Sequence, residues 1–178
     1  MINEFSLHAV PSNKKANRVV NVCFVLSLVC LVITAFMDKY KGFVGIVLLG
    51  FITVALYFYT RYLAARYIYD ITTDAEQRPI FVVRSKTGKR VTTMSRIDFY
   101  NIKKVERISA DDLKNYKPDE GVVKYTYCPS YKPDTMIMLS VRGRFEKADV
   151  LIEAPDEFME HLRQIAAEAI ASYTENEE

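Results

Sequence analysis

The sequence predicts a membrane α-helical hairpin followed by an α+β, mainly β, domain that closes with a single helix. Three observations carry this reading. Two apolar runs, Val19 to Met37 and Phe43 to Tyr59, contain no charge and are separated only by Asp38-Lys39-Tyr40-Lys41-Gly42. From Tyr67 onward a period-two alternation replaces the apolar runs, and from Phe158 onward apolar residues recur at helical spacing. Half of the residues are hydrophobic, yet the mean hydropathy is near zero, so a polar remainder offsets the apolar first third.

A helix rises about 1.5 Å per residue, so roughly 17 to 20 apolar residues cross a hydrocarbon core about 30 Å thick. Neither run carries the polar stripe of a soluble amphipathic helix. The short connector leaves room only for an antiparallel pair, with both chain ends on one side of the bilayer. Lys14, Lys15 and Arg18 precede the first run and Arg61 and Arg66 follow the second, against Lys39 and Lys41 in the connector. This bias predicts a two-span protein of the cell membrane with both termini cytoplasmic. A cleaved signal peptide is the competing reading of the first run. The run exceeds a signal h-region in length, lacks a clear small-residue cleavage site and is followed at once by a second span.

The expected division is an N-terminal cytoplasmic tail at 1–18, the hairpin at 19–62, a cytoplasmic domain at 66–174 and an acidic tail at 175–178. Gly45 and Gly50 are weak candidates for close helix approach. Tyr57, Tyr59, Arg61 and Tyr62 form an aromatic belt ending in a cation, as expected of membrane-interface anchors. Cys23 and Cys30 lie within the first span and Cys128 stands alone in the polar domain, which supports no disulfide framework.

No flexible linker separates the second span from the first strand, Tyr67 to Thr73, so the domain is expected close to the bilayer at a fairly fixed angle. Asp74 to Pro79 reads as a turn, Ile80 to Ser85 as a buried strand, and Lys86-Thr87-Gly88-Lys89 as a hairpin turn into Arg90 to Ser95. Further strands are expected at Ile102 to Ile108, Val122 to Tyr127, Thr135 to Val141 and Ala148 to Ile152, the last two joined through Arg142-Gly143. This makes about seven strands. Ser109 to Gly121 reads as an exposed loop. Phe158, Leu162, Ile165, Ala169, Ile170 and Tyr173 then mark one amphipathic helix behind Pro155, with Asp156 and Glu157 in its first turn.

About seven strands and a closing helix is the element order of a pleckstrin-homology-like (PH-like) domain. Ile102-Lys103-Lys104-Val105-Glu106, after a polar turn, and the lead-in Tyr69-Asp70-Ile71-Thr72-Thr73 resemble segments of small bacterial membrane proteins in which such a domain follows a pair of membrane helices. The resemblance implies a seven-stranded bent sheet or barrel capped by the C-terminal helix. The chain departs from several related membrane families in having no tryptophan.

Enzymatic chemistry finds little support in the motifs. There is no glycine-rich phosphate loop, His-Glu-x-x-His helix or Gly-x-Ser-x-Gly elbow, and no cofactor or metal is implied. His8 and His161 are far apart, and Ser12-Asn13-Lys14-Lys15 matches a Ser-x-x-Lys pattern only by chance. A net charge of +2 gives no argument for nucleic acid. Binding is the remaining class. PH-like relatives grip phosphoinositides with the turn that corresponds to Asp74 to Pro79, but here its charges, Asp74, Glu76 and Arg78, are mixed in sign. The next hairpin returns toward the bilayer with Arg84, Lys86, Lys89 and Arg90, candidate lipid-headgroup contacts worth about 1 kcal/mol each. Arg78 and Tyr131 are candidate partner contacts, Tyr131 as an exposed ring in a proline-stiffened, cytosol-facing loop. The resulting expectation is a bilayer-embedded, non-catalytic protein-interaction or assembly module with a protein partner or self-association. An anionic-lipid-responsive module, and an accessory subunit of a transporter or envelope complex, are the alternatives.

Overall fold

The computed structural model describes residues 5–9, 13–36, 38–143 and 147–175. Helix α1 (Lys14–Phe36) and helix α2 (Lys41–Phe58) are joined by a 3-10 turn at Asp38–Tyr40 and pack against each other. A π-helical turn, Tyr59–Ala64, prolongs α2, giving helical segments Lys14–Phe36 and Lys41–Ala64 that are long and apolar enough to cross a membrane. Helix α1 starts at Lys14, ahead of the predicted Val19, and carries Lys14, Lys15 and Arg18 in its opening turns.

The helix contact follows from side-chain size and spacing. Helix α1 buries Ala16, Cys23, Ser27 and Cys30, and α2 half-buries Val44, Gly45, Val47, Leu48, Phe51, Ala55 and Phe58. The buried positions of α1 are small side chains, and those half-buried on α2 are mostly larger, a combination that suits close helix packing. The hydroxyls are satisfied internally, Ser27 donating to the Cys23 carbonyl at 2.8 Å and Thr34 to that of Cys30 at 2.7 Å. Gly45 and Gly50 do not mediate the approach, because a Cβ at either position would meet nothing within 4 Å.

The polar part of the chain builds two open four-stranded sheets. Strands β1 (Phe5–His8), β2 (Ala65–Thr73), β3 (Pro79–Thr87) and β4 (Arg90–Asp98) form an antiparallel sheet in the order β1-β2-β3-β4. Strands β5 (Ile102–Ser109), β6 (Val123–Thr126), β7 (Thr135–Arg142) and β8 (Lys147–Ile152) form the second, in the order β5-β7-β8-β6, with β6 parallel to β8. Helices α3 (Ala110–Asn115) and α4 (Asp156–Glu175) complete an α+β arrangement. The β3–β4 connection narrows the expected Lys86-Thr87-Gly88-Lys89 turn to Gly88-Lys89, because Lys86 and Thr87 pair with Val91 and Arg90; Gly88 sits at φ +60°, a backbone conformation that an L side chain disfavours.

Three expectations need correction. The described residues give eight strands in two separate sheets where about seven in one bent sheet or barrel were expected. The segment 1–18 is not simply a tail: Phe5–His8 pairs with Ile68–Ile71 across β2, because Phe5 and Leu7 alternate with the polar Ser6 and His8. The presumed exposed loop Ser109 to Gly121 contains α3, whose N-cap Ser109 accepts from the Asp112 amide at 3.1 Å. Leu113 and Tyr116 then cover a small apolar cluster of Ile108, Cys128, Met136, Met138 and Leu151. Tyr116 donates to the fully buried Asp149, which also receives Arg142 Nη1 at 2.9 Å.

Helix α4 packs against the main core, which draws on both sheets. Phe158 stands 5.6 Å from Phe5, 6.3 Å from Tyr69 and 6.4 Å from Phe81, centroid to centroid, while Leu162 is fully buried. Ile165 and Ala169 are buried as the periodicity predicts, but Ile170 is 36% exposed. The side chain of Tyr173, the residues 144–146 after the Arg142-Gly143 turn, Ser12 and the last three residues of the acidic tail lie outside the described residues.

Candidate functional site

The junction between the helical hairpin and the β domain gathers most of the predicted site residues that make specific contacts. The π-turn Tyr59–Ala64 aims Arg61 at the domain, where its guanidinium lies 5.3 Å from the ring centroids of both Tyr62 and Tyr67. It also donates to the Tyr67 hydroxyl and, at 3.0 Å, to the Thr126 carbonyl. One cation thereby ties the end of α2 to β2 and β6. Burial raises the Tyr67 phenol above its ordinary range, against the pull of the Arg61 charge.

Tyr131 belongs to the same junction. Its ring meets Phe58 edge-on at 4.8 Å and Tyr62 at 5.4 Å, so it is half-buried against the chain's own helix. The expectation of an exposed ring on a cytosol-facing loop is therefore corrected. The loop is fixed from both sides: Ser130 donates from its backbone and hydroxyl to Glu153 at 3.0 and 2.8 Å, and Lys15 Nζ lies 3.1 Å from Asp134 and 3.2 Å from the Lys132 carbonyl. Cys128 beneath it is a free, buried thiol; burial and the Glu153 charge push it up to about 12, opposed by Arg61.

Of the predicted interface anchors, Tyr57 and Tyr59 face outward at 58% and 54% exposure, whereas Arg61 and Tyr62 turn inward to the junction. Arg78 sits at the opposite end of the first sheet, since Pro79 pairs with Thr73 and Thr87 with Ala65. That separates it from the hairpin end by about 26 Å at 3.3 Å per residue. Its turn is closed on itself: the amides of Glu76 and Arg78 donate to Asp74 at 2.9 and 2.8 Å, and the Arg78 guanidinium reaches Glu76 at 2.6 Å and Asp74 at 3.2 Å. These hydrogen bonds, led by that of the Arg78 amide, hold the Asp74 carboxyl below its ordinary range. The structure does not bring Arg78 and Tyr131 together.

The four hairpin cations are likewise divided. Thr87 opposite Ala65 sets the hairpin tip level with the end of the second apolar helix. Strand alternation places Arg84 and Lys86 on one face with Arg66, and Arg90 on the other, with Lys89 in the turn. Arg84 is engaged within the fold, its Nε 3.2 Å from Asp70, whose second oxygen accepts from Ser6 at 2.5 Å. Lys86, Lys89 and Arg90 are exposed. No group of three or more His, Cys, Asp and Glu that could hold a metal occurs among the described residues.

Sequence reasoning missed the inward roles of Arg61 and Phe58 because a belt of aromatics and a cation reads as a bilayer boundary. It also missed the Ser6–Asp70 contact. The available signal was Asp70 itself, an acid among the apolar residues of a strand. Comparison with protein-family models, curated proteins and solved structures gives no match to this chain.

Proposed function

We propose that the chain is an integral protein of the cell membrane, crossing twice with both termini cytoplasmic, whose β-rich unit is a PH-like domain serving as a non-catalytic protein-interaction or assembly module. The observation that carries this reading is the attachment of the domain to the hairpin at three places. These are the continuous passage from α2 through the π-turn into β2, the return of β1 along β2 before α1, and the docking of the Tyr131 loop on Phe58 and Tyr62. A domain so fastened presents its far surface at a set height and angle, which suits a scaffold for a second protein. The PH-like assignment draws support from the antiparallel meander β2-β3-β4, the second sheet and a C-terminal helix packed on both; β1 and the parallel β6 are additions to that plan.

The exposed edge strand β4 supports the interaction reading further, with Val91 and Met94 at 50% and 47% exposure. Such an edge offers both backbone hydrogen bonds and apolar side chains to a partner. Photo-crosslinkers at Arg78 and Met94 in native membranes should yield discrete protein adducts, while one at Lys89 should not. Adducts confined to lipid at all three positions would overturn the proposal. The lipid-responsive alternative draws on the level of the hairpin tip, and expects the Lys89 position to label anionic lipid.

A further inference from the structure

We propose that the domain-proximal part of α1 holds one anionic diacyl phospholipid, with its headgroup on Lys14 and Arg18. This rests on the two-span reading alone and is independent of whether the domain binds another protein. A shallow groove of about 640 Å³ runs along one face of α1 and is lined by Lys14, Asn17, Arg18, Asn21, Val22 and Val25 among others. The spacing puts all six on a single helical stripe, polar for two turns and apolar beyond.

Charge and depth select the occupant. Three cations open the helix, and of these Lys15 alone has an ion-pair partner among the described residues, Asp134. Lys14 and Arg18 have no carboxylate partner among the described residues. Two primary amides, Asn17 beside the cations and Asn21 a turn deeper, add donors for phosphate or ester oxygens. Arg18 to Val25 spans about 10 Å along the helix axis, so a phosphate held at the cations sends its acyl chains along the valines into the hydrocarbon. The stripe therefore matches an amphiphile in which negative charge and apolar chain are joined. A free anion would leave the apolar half unused, and a zwitterionic lipid would bring its own cation to Lys14 and Arg18.

The test uses the full chain purified in mild detergent, with native mass spectrometry as readout and phosphatidylglycerol, phosphatidylcholine and inorganic phosphate as probes. Phosphatidylglycerol should be retained at one per chain and at least about tenfold over phosphatidylcholine, declining as salt rises. The double variant Lys14→Gln/Arg18→Gln should lose that preference about tenfold, while Lys86→Gln/Lys89→Gln retains it. Val25→Trp, which fills the apolar half without changing charge, should weaken binding as well. Unchanged thermal melts will show that the variants are folded. Equal retention of the two lipids, displacement by millimolar inorganic phosphate, or loss only in the hairpin variant would each overturn the proposal.

Discussion

The ring of Tyr131 stands edge-on to that of Phe58 with their centroids 4.8 Å apart, joining the loop between β6 and β7 to the last turn of α2. The pair links segments distant in sequence and fixes the domain against the hairpin through shape more than charge. The neighbouring Lys15–Asp134 ion pair is exposed on both sides and adds at most about 1 kcal/mol.

Tyr131→Ala removes two aromatic contacts, each worth about 0.5–1.5 kcal/mol. Hydrogen exchange on the full chain in nanodiscs should speed up in the loop 127–134 while the amides of β2 and β3 keep their protection. Tyr131→Phe keeps both ring contacts and should exchange as the wild type does. Equal effects from the two substitutions would show that the ring packing is not what holds the loop.

The buried Asp149 should make stability depend on pH at both extremes. Burial acts to raise its pKa, but hydrogen bonds from Tyr116 and Arg142 and the Arg142 charge outweigh it, and the net shift is downward from 3.8. A lowered acid stabilises the fold above its unfolded pKa, so this contribution is lost as pH falls below 3.8 and through the folded value. Tyr116 is pushed from 10.0 up to about 12 by burial and by the Asp149 carboxylate, so its contribution is complete below 10.0 and disappears as pH rises through about 12. Cys128 adds to the same basic limb from 9.0 upward. Tyr116→Phe should lower stability at neutral pH by about 1.5–3 kcal/mol and flatten the basic limb, while Arg142→Met, which leaves a buried charge unpaired, should cost about 3–5 kcal/mol. Denaturant titrations from pH 3 to 11 provide the check; a flat profile would remove Asp149 from the account.

Replacing Leu162 with Asp puts a charge where α4 meets both sheets, at a cost of several kcal/mol, comparable to the whole stability of a small domain. The β domain should unfold while α1 and α2 keep their helicity in detergent, seen as loss of the strand signal in circular dichroism. Native-like melting would mean that α4 is dispensable to the core.

Orientation can be read by cysteine labelling without first removing the native thiols, since Cys23, Cys30 and Cys128 are all buried. A membrane-impermeant maleimide added outside intact cells should modify Tyr40→Cys and spare Lys114→Cys. The opposite pattern would invert the proposed topology.

What could be read from the residues follows the range of the interactions involved. The apolar runs and the hairpin turn around Gly88 are local properties, and both appear where the residues predict them, the turn two residues shorter than its polar stretch because Lys86 and Thr87 join the ladder. Ser109, Asp111, Asp112 and Lys114 also carried a local signal, an N-cap with acids in the first turn and a base in the last, which was outweighed by the polarity of the stretch. Strand β1 was hidden for a different reason. Four residues with two apolar positions are too short a pattern to stand out, and what stabilises them is β2, beyond both helices. Tyr131 likewise gave no local indication of its place, because proline spacing describes the stiffness of a loop and not the surface it lies on.

The pairing of Phe5–His8 with Ile68–Ile71 orders events during synthesis. The strand leaves the ribosome ahead of its template, which follows only after both apolar helices have been made, so the first sheet stays incomplete until the whole hairpin has been synthesised. On the two-span reading proposed above, Phe5–His8 must throughout that interval be kept on the side of the bilayer where Ile68–Ile71 will emerge. On that reading, a copy that threads Phe5–His8 across the membrane would forfeit an edge strand together with the Phe5–Phe158 contact, a folding defect that would expose it to proteolytic removal.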